Sequence, residues 1–242
     1  MVEQTSLATD VGAMRADARA NRTRILVAAR DVFVEQGPGA PLEEVSRRAG
    51  TGIATLYRRF GDRPALMRAV VLDALARTTE EAHRAVDEEA DPFAALVRYM
   101  HRAVDTRIGA VIPVLLGAIA LDDDEMQRAR DRSTRVVGAL VDAAHRAGAL
   151  RRDVTFGDIS MMIVRLSRPL PGAFTRDLDD QLAHRHVELV VGGLRPTDAA
   201  VLTGPALTLD DVRGLQPPRA ADVDVAEAGA SPAGSEPGPV PT

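Results

Sequence analysis

Apolar residues recur along this chain at helical spacing and almost nowhere with the strict alternation of a half-buried strand. Ile25, Leu26, Ala29, Val32 and Phe33 form one stripe, which Gly37 is placed to end. Leu42, Val45 and Ala49 follow at the i, i+3, i+7 positions of a second face, while Glu43, Glu44, Arg47 and Arg48 fill the other side. Gly50 and Gly52 supply a turn that tolerates positive φ, and the helical period resumes at once with Ile53, Leu56, Tyr57 and Phe60. From residue 64 to about 194 the pattern stays helical. Asp62 caps a long helix carrying Leu66, Val70 and Ala74, and Asp91-Pro92 opens another with Phe93, Leu96, Val97, Met100 and Val104 on one face. The run 108–121 has no polar face, so it is predicted to be buried on most sides, with a kink or a late start at Pro113. Acids at 122–125 lead into a helix that ends with His145, Arg146 and Gly148, charges that match the dipole at both ends. Two more helices are predicted over 156–168, with Thr155 and Asp158 at its start, and over 176–193. The fold class is all-α.

The segment LEEVSRRAGTGIATLYRRF joins two helices by a turn so tight that they must cross steeply, which is the helix-turn-helix arrangement. In that arrangement the second helix projects from the body and can enter a DNA major groove. Residues 53–60 rise about 12 Å as a helix, close to the width of that groove. Thr55 and Arg58 carry donors on the side away from Leu56 and Phe60, the Tyr57 hydroxyl suits a phosphate, and Arg59 and Arg63 follow as further phosphate partners. One short helix reads few bases, so a dimer on two half-sites is expected.

These residues resemble the DNA-binding domain of the tetracycline-repressor (TetR) family over roughly 19–70. The resemblance rests on Ala49-Gly50 in the turn, the Thr55-Leu56-Tyr57-Arg58 recognition helix, Phe60, and Arg63 opening the next helix. Two positions depart from the family pattern. Pro41 replaces the usual Ser or Thr cap, leaving Ala40 as the expected cap residue, and Arg59 replaces a His while keeping a donor. The resemblance implies DNA contacts from Arg22, Thr23, Gly52, Thr55, Tyr57, Arg58, Arg59 and Arg63. It also implies double-stranded DNA with a palindromic operator as partner, a homodimer, and release by a small-molecule effector, with repression as the expected output. In the family the last two long helices pair across a two-fold axis, and Met161, Val164, Leu178, Leu182, Leu189 and Val190 fit that interface.

Charge divides the chain in the same way. Between residues 15 and 68 there are 11 Arg against 6 acids, whereas the whole chain carries −5, so the positive charge gathers where phosphate would bind. Every basic residue is Arg, a bias that fits a GC-rich bacterial genome. The absence of Cys excludes disulfides and thiolate chemistry, and no basic-then-apolar leader is found in 1–14. The longest apolar run is too short to span a bilayer, and a cytoplasmic protein is expected. The expected domains are a flexible N-terminus (1–14), the DNA-binding domain (15–61), a helical ligand-binding and dimerisation domain (62–195), and a Pro/Gly-rich acidic tail (196–242). The tail is expected to be largely disordered, with a loosely packed piece around 201–212.

Catalysis finds no candidate. Counted from Asp122 or Asp123, the Asp-rich metal motif of helical terpene synthases meets Met126 or Gln127 where it needs an acid. His184 and His186 face different ways on a helix, and around His83, His101 and His145 no carboxylate or His at ligand spacing on a common face exceeds coincidence, so neither metal nor cofactor is expected. With 3% aromatic residues and several Met, the C-terminal domain suits an adaptable aliphatic pocket, for which Tyr99, Met100, Arg107, Ile112, Met126, Met162 and Arg165 are the candidate lining. The competing reading is a helical adaptor that keeps the fold but acts through protein contacts; steep salt dependence of DNA binding separates the two.

Overall fold

The computed structural model describes residues 2–115, 118–119, 123–170, 172, 174–197, 201–208 and 211, with side chains from Ala16 onward. Among them nine helices and no strands occur: α1 (Val2–Gln36), α2 (Leu42–Ala49), α3 (Ile53–Phe60), α4 (Arg63–Glu88), α5 (Pro92–Asp105), α6 (Ile108–Leu115), α7 (Asp124–Arg146), α8 (Phe156–Leu166) and α9 (Arg176–Leu194). The chain is all-α, as its periodicity predicts. The backbone of α1 is helical from Val2, where a flexible segment was expected as far as residue 14.

Local rules account for most helix ends. Asp62, Asp91, Asp123 and Thr175 each accept a backbone N–H from the first turn that follows, and Thr155 with Asp158 forms a reciprocal capping box. Pro41, rather than Ala40, stands at the cap position of α2, where no side chain caps the helix. Inside α2 the buried Ser46 hydroxyl is satisfied by donating to the Leu42 carbonyl one turn earlier. Among the described residues the apolar run forms helix as α6, which contains Pro113; Asp122 and much of the run's end lie outside the described residues.

One continuous core runs from the head to the body: Phe33, Leu56 and Leu66 at one end, Leu96, Met100, Met126 and Ile159 at the other, all 1% exposed or less. Gly109 lets α6 approach α8 closely, since a Cβ there would strike the Ile163 side chain. Residues 201–208 lie against the start of α8. The Thr155 hydroxyl donates to the Leu207 carbonyl, the Leu202 amide donates to Asp153, and Gly157 leaves room for Leu207. The rest of the acidic tail, where disorder was expected, falls outside the described residues.

All four buried charged side chains among the described residues, Arg30, Asp31, Arg107 and Asp179, belong to one network. Arg30 on α1 donates to Asp73 of α4 and to the Thr106 carbonyl. Next to Thr106, Arg107 donates to Asp179 and Asp180 of α9, and Arg176 of α9 returns to Asp31 of α1 at 2.8 Å. The network joins α1 to α9 through the α5–α6 connection, and Arg107 occupies it at φ +51°, a left-handed conformation unusual for a side chain of this size.

A helix-turn-helix surface as candidate DNA interface

Leu56 and Phe60 anchor α3 in the core, at 0% and 9% exposure. The turn before it closes because Gly50 adopts φ +64°, with its own amide and that of Thr51 donating to the last carbonyls of α2, at Arg47 and Ser46. Gly52 precedes α3 in extended conformation and no side chain caps that helix. On the outer side, Tyr57, Arg58 and Arg59 are exposed and Thr55 is half-buried. Arg58 makes one long contact, 3.5 Å to Thr55 Oγ1, so its guanidinium keeps most of its donors for a ligand.

Two other expected contact residues, Arg59 and Arg63, are held more firmly. Arg59 donates to the Ala18 carbonyl of α1 at 2.6 Å. Arg63 donates to the carbonyls of Pro38 and Ala40 at 3.0 and 2.6 Å, tying the start of α4 to the connection between α1 and α2. These bonds give Arg63 a part in positioning the head beside the phosphate role expected for it. Arg63→Ala is therefore expected to cost about 1.5–3 kcal/mol of stability in thermal or urea unfolding, because two charge-assisted bonds are lost. Arg22 is exposed with its guanidinium 5.2 Å from the Phe60 ring, beside the end of α3, and Thr23 is exposed next to it. On α2, Glu44 is engaged by Arg47 and Arg48, whose hydrogen bonds hold its carboxyl at about 2, so both arginines keep that partner at neutral pH.

The expected pocket residues differ in their exposure. Tyr99, Met100, Arg107 and Met126 are buried, Ile112 and Met162 pack half-buried against the core, and Arg165 is exposed. Arg107 is committed to Asp179 and Asp180, and burial without a compensating charge pushes the Tyr99 hydroxyl above its usual range. An open cleft of about 560 Å³ does exist, at the end of α7, and it contains none of these seven. His145, Arg146, Arg151, Arg152, Pro196 and Val201 are among its walls.

The expected interface residues lie on the outer side of the last two helices. Leu178 and Leu189 are 43% and 67% exposed, and Met161, Val164, Leu182 and Val190 are half-buried. Phe174, just before α9, is a further exposed apolar side chain at 47%, and it sits outside any helical period in the sequence. No described helix is long and apolar enough to cross a membrane.

A helix-turn-helix whose second helix is anchored by Leu56 and Phe60 and turns Tyr57 and Arg58 outward defines a DNA-binding transcriptional regulator. Residues 25–70 match the family described as bacterial regulatory proteins, tetR family, and residues 91–196 match the C-terminal domain of SbtR-like transcriptional regulators. The chain belongs to the TetR family of transcriptional regulators. It is similar to a TetR transcriptional regulator from Streptomyces coelicolor, at 32% identity over 73% of this chain and 99% of that one, with a TM-score of 0.53. A TetR transcription regulatory protein from Mycobacterium vanbaalenii is similar at 31% identity, over 76% of this chain and 99% of that one, with a TM-score of 0.54. The regulator LfrR from Mycobacterium smegmatis, in complex with proflavine, shares the fold at 19% identity, covering 71% and 96% of the two chains with a TM-score of 0.52. No curated protein matches the chain.

Proposed function

We propose that this protein is a homodimeric repressor that binds a palindromic operator through α3 and releases it when a small molecule binds the C-terminal domain. The observation that carries the reading is the exposed Arg58, next to Tyr57 and half-buried Thr55, on a helix whose opposite side is fixed in the core. Arg22, Thr23, Gly52 and Arg59 flank that surface as backbone contacts to DNA, and phosphate contacts of this kind set register while base contacts set sequence.

Dimerisation supplies the second recognition helix. Leu178 and Leu189 leave more apolar surface on α9 than a monomer's own core uses, and two-fold pairing through Met161, Val164, Leu182 and Val190 would cover it. Leu189→Glu is expected to shift the protein towards monomer in sedimentation while its helical content stays intact; an unchanged dimer would place the interface elsewhere.

Effector release requires a ligand that favours one arrangement of the two heads, and a coupling of about 1–3 kcal/mol lowers operator affinity roughly 5- to 150-fold. The proflavine complex of LfrR supports a small molecule as the effector class. The packed side chains of Tyr99, Met100 and Met126 mean that an effector placed there must part the helices around them.

The experiment that tests the reading is selection of bound duplexes from random DNA at moderate salt with the full chain. An enriched inverted repeat, bound with an affinity that falls steeply as salt rises, supports a dimeric operator reader. Absence of enrichment with correctly folded protein would overturn it.

A further inference from the structure

His101 and His184, 83 positions apart, meet between α5 and α9 with their Nδ1 atoms 2.9 Å apart. The ring centroids are 5.0 Å apart and the planes differ by 16°. The difference between the two distances is close to two ring radii, so the rings meet edge to edge, nitrogen towards nitrogen, instead of stacking face on face. Their outer nitrogens are both engaged. His101 Nε2 lies 3.0 Å from Glu188 Oε1, and His184 Nε2 donates to Asp105 Oδ1.

The proton count follows from these partners. A carboxylate only accepts, so each Nε2 carries its proton, and in a neutral imidazole the remaining nitrogen then holds a bare lone pair. Two such lone pairs at hydrogen-bond distance repel each other unless a cation lies between them. A proton can fill that role, and so can a metal ion. Three features favour a metal. The pairs His101/Asp105 and His184/Glu188 are each spaced i, i+4, so two packed helices present the same His-plus-acid unit to each other. Each ring is held from behind by a carboxylate, the arrangement that fixes the tautomer of metal-binding histidines and raises their basicity. Both His side chains are accessible, 21% and 41% exposed, so an ion can enter and water can complete its shell.

We propose that His101 and His184 form a binding site for a zinc-class divalent ion, ligated by the two Nδ1 atoms and by water, with Glu188 and Asp105 as positioning residues. No three His, Asp or Glu side chains among the described residues already converge as a ligand set, so the protein supplies two ligands and solvent the rest. Tetrahedral zinc with Zn–N bonds of 2.0–2.1 Å needs its two nitrogens about 3.3 Å apart, so the rings must part by about 0.4 Å and tilt until both Nδ1 lone pairs point at one position beside the line that joins them. Imidazole donors select zinc, nickel and copper over magnesium and calcium. The ion would pin α5 to α9. Asp180, one turn before His184, is held by Arg107 and does not compete.

The test is zinc titration of the full chain against a chromophoric chelator, with magnesium as the control ion. One zinc per chain is expected, with affinity falling as pH drops because protons compete for both Nδ1 atoms. His101→Gln and His184→Gln should each abolish that stoichiometric binding, Asp105→Asn should weaken it about 10- to 100-fold, and His186→Gln should leave it unchanged. Circular dichroism confirms that each variant is folded. Zinc binding that is absent, or that survives in the His101→Gln/His184→Gln double variant, would overturn the site and leave a shared proton between the rings. The outcome is independent of operator binding, which the selection experiment reads separately.

Discussion

Arg107→Ala is expected to destabilise the protein by about 3–5 kcal/mol, the largest effect of any single polar substitution considered. Arg107 is 4% exposed and faces Asp179, itself 7% exposed, at 2.9 Å. Removing the guanidinium strands a buried carboxylate whose other oxygen already accepts the Leu170 amide at 2.9 Å. The cost is that of an unpaired buried charge, which exceeds the net worth of the pair itself. Two companion variants check the cause. Adding Asp179→Asn to Arg107→Ala should recover part of the loss, since the stranded charge is gone. Arg107→Gly should lose about 1 kcal/mol less than Arg107→Ala, because glycine accepts φ +51° without strain. Urea unfolding curves with a constant slope measure all three. Equal losses in the Ala and Gly variants would show that the backbone conformation contributes nothing.

Arg58→Ala is expected to weaken operator binding roughly 5- to 150-fold with no change in thermal midpoint. A side chain that reads a base edge is worth about 1–3 kcal/mol. In the free protein Arg58 spends almost nothing on the fold, having only its long contact to Thr55. The variant should also relax sequence preference at one operator position, whereas loss of a phosphate contact lowers affinity uniformly and reduces the salt slope by about 1. Competition binding on the selected duplex and its single-base variants reads both quantities. Arg63→Ala offers the contrast, because its bonds to Pro38 and Ala40 make stability and DNA affinity fall together. An Arg58→Ala protein that binds like the parent would remove α3 from the interface.

Much of this was legible in the residues because helix signals are local. Asp62, Asp91, Thr155 and Asp158 announced their helix starts, and Gly50 announced the turn, since each acts on groups within a few positions of itself. Leu56, Phe60, Tyr57 and Arg58 sorted into inner and outer faces by period alone. Local signals were weaker where the constraint was absent. Residues 2–14 carried no clear apolar stripe yet are helical, and Pro41 took the cap position expected of Ala40.

The sequence by itself determined the class of fold, the helix-turn-helix and the outward side of α3, because spacing of 3 to 7 residues encodes which side of a helix meets water. Only the tertiary structure decided how each charge is used. Arg58 is left available while Arg59 reaches α1, Arg63 ties down the α1–α2 connection, and Arg107, expected in a pocket, neutralises Asp179. Likewise His101 found its partner in His184 and Arg176 found Asp31 across 83 and 145 positions. Such encounters depend on how whole helices cross, and the strength of an ion pair or an imidazole pair depends on the burial that crossing produces, neither of which is written in the spacing of neighbouring residues.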